Sequence, residues 1–138
     1  MLFRSRLGEQ IQFIEPQALH QAALWSSGMP REFLRLLWDA AVEASSKNAS
    51  CITVKDVEIA GKELRQLLQQ SIRIEDIQLL DRICNSHQFT SSPRGETLLF
   101  ENFIACYPND NVYFRPHEVL AKWVVSEAAR LRKLKAID

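Results

Sequence analysis

Ser26-Ser27-Gly28-Met29-Pro30-Arg31-Glu32-Phe33-Leu34-Arg35-Leu36-Leu37 is the stretch of this sequence whose residue types and spacing could do chemistry. Gly28 tolerates a left-handed turn, and Pro30 is pre-organised for the first position of a helix. Arg31 then falls in the first helical turn, where a planar guanidinium lies beside backbone amides that have no carbonyl partner. Together they can hold a phosphate oxygen and respond to its loss. The plainer reading of the same residues is a helix cap with a solvated or ion-paired arginine.

No complete catalytic constellation accompanies it. The sequence contains no G-x-x-x-x-G-K-S/T phosphate loop, G-x-G-x-x-G turn, H-E-x-x-H, C-x-x-C or G-x-S-x-G. Its four glycines are too few to build a backbone phosphate cradle. His20, His87 and His117 are far apart and lack cysteine or carboxylate partners at ligand spacing, so no zinc site is expected. His20 and His117 read as helix residues, and His87 as a helix-end residue. Cys51, Cys84 and Cys106 are isolated and odd in number, which fits reduced thiols in a cytoplasmic protein. The chain alone is therefore expected to be no enzyme and to hold no cofactor or metal.

The elements that must position Arg31 are helical. Glu15-Pro16 announces a helix over about 16–26 with Ala18, Leu19, Ala22, Ala23 and Trp25 on one face. Pro30 announces the next, to about Ser45, with an apolar stripe of Phe33, Leu34, Leu37, Trp38, Ala41 and Val42. Trp25 and Trp38 read as core or interdomain contacts. After a polar connector, Cys51-Ile52 reads as a buried touch-point, and Thr53 as the N-cap of a helix over 54–70 with Asp56 in its first turn. Gly61 in that helix marks close packing. A fourth helix follows over 74–86, then a loop through Phe89–Gly95 and a short helix from Glu96 to Glu101. Phe103–Tyr107 and Val112–Phe114 form a β-hairpin with its tip at 108–111, and Pro116 opens a last helix. The fold class is mostly α, or α+β, with a division into residues 1–72 and 73–138.

The Gly-x-Pro-Arg corner resembles the S-G-G-x-P-R-x-L-x-R-L corner in the helical lid of AAA+ and related signal-transduction P-loop ATPases of the origin-initiator type. The order of elements from about residue 11 onward is similar to the lid plus winged-helix tail of those proteins. The resemblance implies a helical lid over 1–72 and a winged-helix-like module over 73–138. It implies that Arg31 is the sensor-2 arginine, reaching the γ-phosphate of ATP with Mg held by the P-loop core of a parent protein. It implies further that Met1 lies within a longer chain. Ser27 stands where the pattern has glycine, and the phosphate loop and Walker B strand are missing, so ATP hydrolysis would need the parent.

A DNA-binding winged helix would carry its cations on the wing and the preceding helix. The wing tip here is Asn109-Asp110-Asn111. Basic residues that could contact nucleic acid or a partner are Arg94, Arg115, Lys122, Arg130, Arg132 and Lys133, with Arg73, Arg82 and Lys135 nearby. The C-terminal group also matches a solvated helix end complementing its dipole. Tyr107, Tyr113, Phe114 and Trp123 read as core rather than base-stacking platforms. Seventeen Lys plus Arg balance seventeen Asp plus Glu, which removes the whole-chain electrostatic drive toward a polyanion. No apolar run is long enough to span a membrane, and no signal peptide is recognisable. The expected partners are the P-loop core and another protein or domain, with DNA less favoured. The rivals are a DNA-binding winged helix and a stand-alone protein–protein adaptor.

Overall fold

The computed structural model describes residues 13–108 and 110–137. Among them run, in order, β1 (Phe13–Ile14), α1 (Pro16–Trp25), α2 (Pro30–Ser46), β2 (Cys51–Ile52), α3 (Val54–Gln69), α4 (Ile74–Ser86), α5 (Pro93–Phe100), β3 (Ile104–Pro108), β4 (Val112–Pro116) and α6 (Glu118–Ile137). The fold is mostly helical α+β. It divides into two compact units, one up to Arg65 and one from Gln66, so the division falls within α3.

The first unit is built from small residues. Ala18 and Ala22 of α1, Leu36, Leu37, Ala40, Ala41 and Ala44 of α2, and Val57, Ala60 and Leu64 of α3 are buried. Alanine at so many contacts lets helix backbones approach closely, and Gly61 extends this. A methyl group there would run into the Trp25 ring. The segments that lead into α1 and α3 are tied by a feature the sequence did not reveal. Cys51-Ile52 is a two-residue parallel strand, Phe13 facing Cys51 and Ile14 facing Ile52, and the Glu15 amide extends it by donating to the Ile52 carbonyl at 3.0 Å.

Helix ends follow their capping chemistry. Thr53 and Asp56 form a reciprocal box at the start of α3: the Asp56 amide donates to Thr53 Oγ1 at 3.4 Å, and the Thr53 amide to Asp56 Oδ2 at 2.9 Å. Asn48 closes α2 in the left-handed region, φ 56°. The Asn48 and Ala49 amides donate back to the Ser45 and Ala44 carbonyls, a Schellman ending. Asn102 does the same for α5, with Phe103 donating to Leu98 and both side chains entering the core.

The second unit packs Leu80 and Ile83 of α4, Leu98 of α5, Phe103, Ile104 of β3, and Leu120 and Val124 of α6 into one core, with Leu68, Ile72, Phe89, Phe114 and Trp123 against it. Its hairpin is antiparallel, with Tyr107 facing Tyr113 and Pro108 facing Val112. The first strand thus begins one residue later than the apolar run predicts, because Phe103 completes the α5 ending. Pro116 closes β4 rather than opening α6. His117 is not a residue of that helix but its cap: fully buried, it accepts from the Val119 amide through Nδ1 at 3.2 Å and from the Leu120 amide through its carbonyl. Helix α5 begins at Pro93 rather than Glu96, since the Ser92 hydroxyl accepts from the Gly95 amide and Pro93 takes the first position.

Candidate functional site

The corner between α1 and α2 is closed by two consecutive left-handed residues, Ser27 at φ 57° and Gly28 at φ 73°. The Ser27 amide donates to the Leu24 carbonyl at 3.2 Å and the Met29 amide to Ser26 at 3.0 Å, while Ser26 is fully buried with its hydroxyl on Ala23. Serine thus performs at position 27 the turn for which the resembling pattern uses glycine. Met29 is the extended N-cap, Pro30 the first helical residue, and Phe33 the first amide to donate back, to the Met29 carbonyl at 2.9 Å. The Arg31 and Glu32 amides precede the intrahelical ladder.

Arg31 is exposed and, among the described residues, enters no ion pair. Its neighbours on the helix matter more than its isolation. At 3.6 residues per turn, Leu34, Trp38, Arg31, Val42 and Arg35 fall within an arc of about 100°. Leu34 is 60%, Trp38 41% and Val42 51% exposed. Leu36, Leu37, Ala40, Ala41 and Ala44 occupy the opposite, buried side. Helix α2 is therefore apolar on two faces, and the sequence reading that merged Leu34, Trp38 and Val42 with the core stripe is corrected here. The signal was available: apolar residues occupy about two thirds of the circumference of α2, more than one core face can cover. Arg35, given no role in the sequence reading, shares the exposed face. Beside it, burial raises the Asp39 carboxyl pKa above its ordinary value despite the nearby Arg35 cation.

Of the basic residues of the second unit, Arg82, Arg132 and Lys135 line one cavity between α4 and α6 together with Asp81, and most of the others are held apart from it. Arg94 turns inward, its Nε and Nη2 donating to Asp76 at 2.9 and 2.8 Å and its Nη2 also to the Ser71 carbonyl. Asp76 is almost fully buried. Burial pushes its carboxyl up, but Arg94 and the Arg73 amide outweigh this and hold it below the usual carboxylate range. Arg115 pairs with Glu118 at 3.5 Å, Arg130 with Glu127, and Arg132 with Asp81 of α4 at 3.0 Å. Lys122 and Lys133 are exposed on α6 without an ion pair among the described residues.

Among the aromatics, Phe114 and Trp123 pack against the core. Tyr113 stacks on His87 with centroids 4.3 Å apart, leaving His87 Nδ1 buried without a hydrogen-bond partner. Tyr107 leans on Tyr113. Asn109 of the hairpin tip lies outside the described residues.

Among the described residues no group of three or more His, Cys, Asp or Glu side chains is placed to hold a metal, and no helix is long and apolar enough to cross a membrane. Cys51 and Cys84 are half-buried and Cys106 exposed, all free thiols. What the α2 corner offers is one exposed cation, Arg31, at a helix start whose first turn also holds the buried Glu32 carboxylate. Comparison with protein-family models, curated proteins and solved structures finds no match to this chain.

Proposed function

We propose that this chain is the C-terminal regulatory and binding region of a larger P-loop ATPase, in which Arg31 senses the nucleotide held by the parent's core and the second unit contacts a partner protein or domain. The observation that carries the reading is the exposed face of α2. It places a cation without an ion-pair partner among the described residues at a helix start, in line with Leu34, Trp38 and Val42. A surface that delivered an anion to Arg31 would at the same time cover apolar area that otherwise remains in water, about 25 cal/mol for each Å² removed. Anion recognition and docking would be one event.

On this reading the chain itself performs no chemistry, ATP and Mg belong to the parent, and the protein works in the cytoplasm. Arg31→Ala in the full-length parent should change its ATPase rate by at least tenfold, the scale expected when a positioned cation on a phosphate is lost (about 1.4 kcal/mol per factor of ten). An unchanged rate would reduce Gly28-Met29-Pro30-Arg31 to capping chemistry. The adaptor reading has one observation in its favour, since the same apolar face would bind a protein partner with no nucleotide present. The DNA reading is weakened by the ion pairs that occupy Arg94, Arg115, Arg130 and Arg132.

A further inference from the structure

Helix α5 immediately precedes the hairpin, the place from which a DNA-reading module would present its cations, and its charge has the opposite sense. Between Ile83 and Phe114 the sequence has one Lys or Arg, Arg94, against Glu96, Glu101 and Asp110. That one guanidinium is directed inward to Asp76 and Ser71. Gly95 and Leu98 face the core, so the outer side of α5 presents Glu96, Thr97 and Phe100, followed by Glu101. Phe100 is 89% exposed, the most exposed large hydrophobic among the described residues.

This aromatic is not on a loose end. One residue past the C-cap, Asn102 closes the helix in the left-handed conformation, and Phe103 and Leu98 anchor that ending in the core. At the other end Ser92 caps the helix, and the Ser91 hydroxyl donates to the Glu96 carboxylate. An exposed aromatic on a backbone fixed at both ends, flanked by carboxylates, is the pattern of an interface anchor with a polar rim.

We infer that the outer face of α5 docks a protein partner offering an apolar cleft rimmed by Lys or Arg, with Phe100 entering the cleft and Glu96 and Glu101 pairing with its rim. The inference rests on reading the second unit as the partner-contacting end and is independent of Arg31. The choice of partner follows from charge complementarity: the local carboxylates repel a nucleic-acid backbone and attract a basic protein surface.

The test uses the full chain, ¹⁵N-labelled, titrated with two helical peptides sharing one leucine face, one rimmed by lysine and the other by glutamate, and with a short DNA duplex. The lysine-rimmed peptide should shift the amides of residues 94–102, and the glutamate-rimmed peptide and the duplex should not. Phe100→Ala should weaken that binding about tenfold or more, and the double change Glu96→Lys with Glu101→Lys should invert the preference between peptides. Arg31→Ala should leave the titration unchanged, which separates this inference from the nucleotide-sensing reading. The inference is overturned by equal binding of the two peptides, by shifts confined to residues outside 94–102, by indifference to Phe100→Ala in a variant with a native spectrum, by duplex shifts on α5, or by no binding at about 1 mM peptide.

Discussion

Arg94 and Gly61 show how much of this fold depends on single side chains. Asp76 is a buried carboxylate that stays ionised because Arg94 and the Arg73 amide face it. Its folded pKa lies below the ordinary value, so the stability it contributes is fully present above pH about 4 and disappears as pH falls through the folded value. The second unit should thus weaken in acid. In Arg94→Gln the remaining carboxylate is buried without its cation, so neutral stability should fall by about 2–3 kcal/mol and partly return on acidification, the reverse slope. Urea unfolding of the two proteins at neutral and acidic pH measures both signs. Parallel slopes would mean that the pair is incidental. Gly61→Ala should fail to give the usual helix gain and should instead destabilise by roughly 1–3 kcal/mol, because the added methyl runs into the Trp25 ring. Thermal unfolding of Gly61→Ala in the wild-type and Trp25→Leu backgrounds checks it, the loss being smaller in the second. The close packing at Gly61 was legible from a glycine inside an otherwise periodic helix. Arg94's inward role was not: eighteen residues separate it from Asp76, and no local pattern announces that pairing.

Elements were legible where they carry their own punctuation. Pro16, Pro30 and Thr53 mark the starts of α1, α2 and α3, because proline removes one of the orphan amides that any helix start exposes and a hydroxyl cap accepts from another. Thr53→Ala should therefore cost about 1 kcal/mol, read as a lowered urea midpoint with an unchanged slope. No change in midpoint would show that Asp56 alone holds the α3 start. The misses have equally physical causes. Ser92-Pro93 is the same signature, yet it lies in a run of turn residues, Thr90-Ser91-Ser92-Pro93, and so passed for loop. The pairing of β1 with β2 spans two residues on each side, too few for any alternation to register, and depends on partners far apart in sequence. On α2 the buried and exposed apolar residues share one helix, and only tertiary packing tells the Leu36 side from the Trp38 side.

For the whole molecule, the decisive quantity is the use of charge rather than its amount. Lys plus Arg equals Asp plus Glu, and the basic residues that a DNA reader would need are mostly paired within their own unit. The chain should pass through a duplex-DNA column at about 150 mM salt without retention. Salt-sensitive retention that vanished on replacing Lys122 and Lys133 would establish the opposite. The α+β class and the helix order could be read from periodicity, since each helix carries its own apolar face. The candidate site was legible only as Arg31, because its apolar neighbours become a surface only once the opposite side of α2 is seen to be covered.

On the proposed function, the α2 face is completed by an anion brought from another segment of a larger protein. Hydrogen exchange of the parent loaded in turn with ATP and ADP tests it most directly. Exchange at the Arg31 and Glu32 amides and along α2 should be slower with ATP than with ADP, and Arg31→Ala should abolish the difference. Equal exchange in the two nucleotide states, or protection that survives loss of the guanidinium, would contradict it.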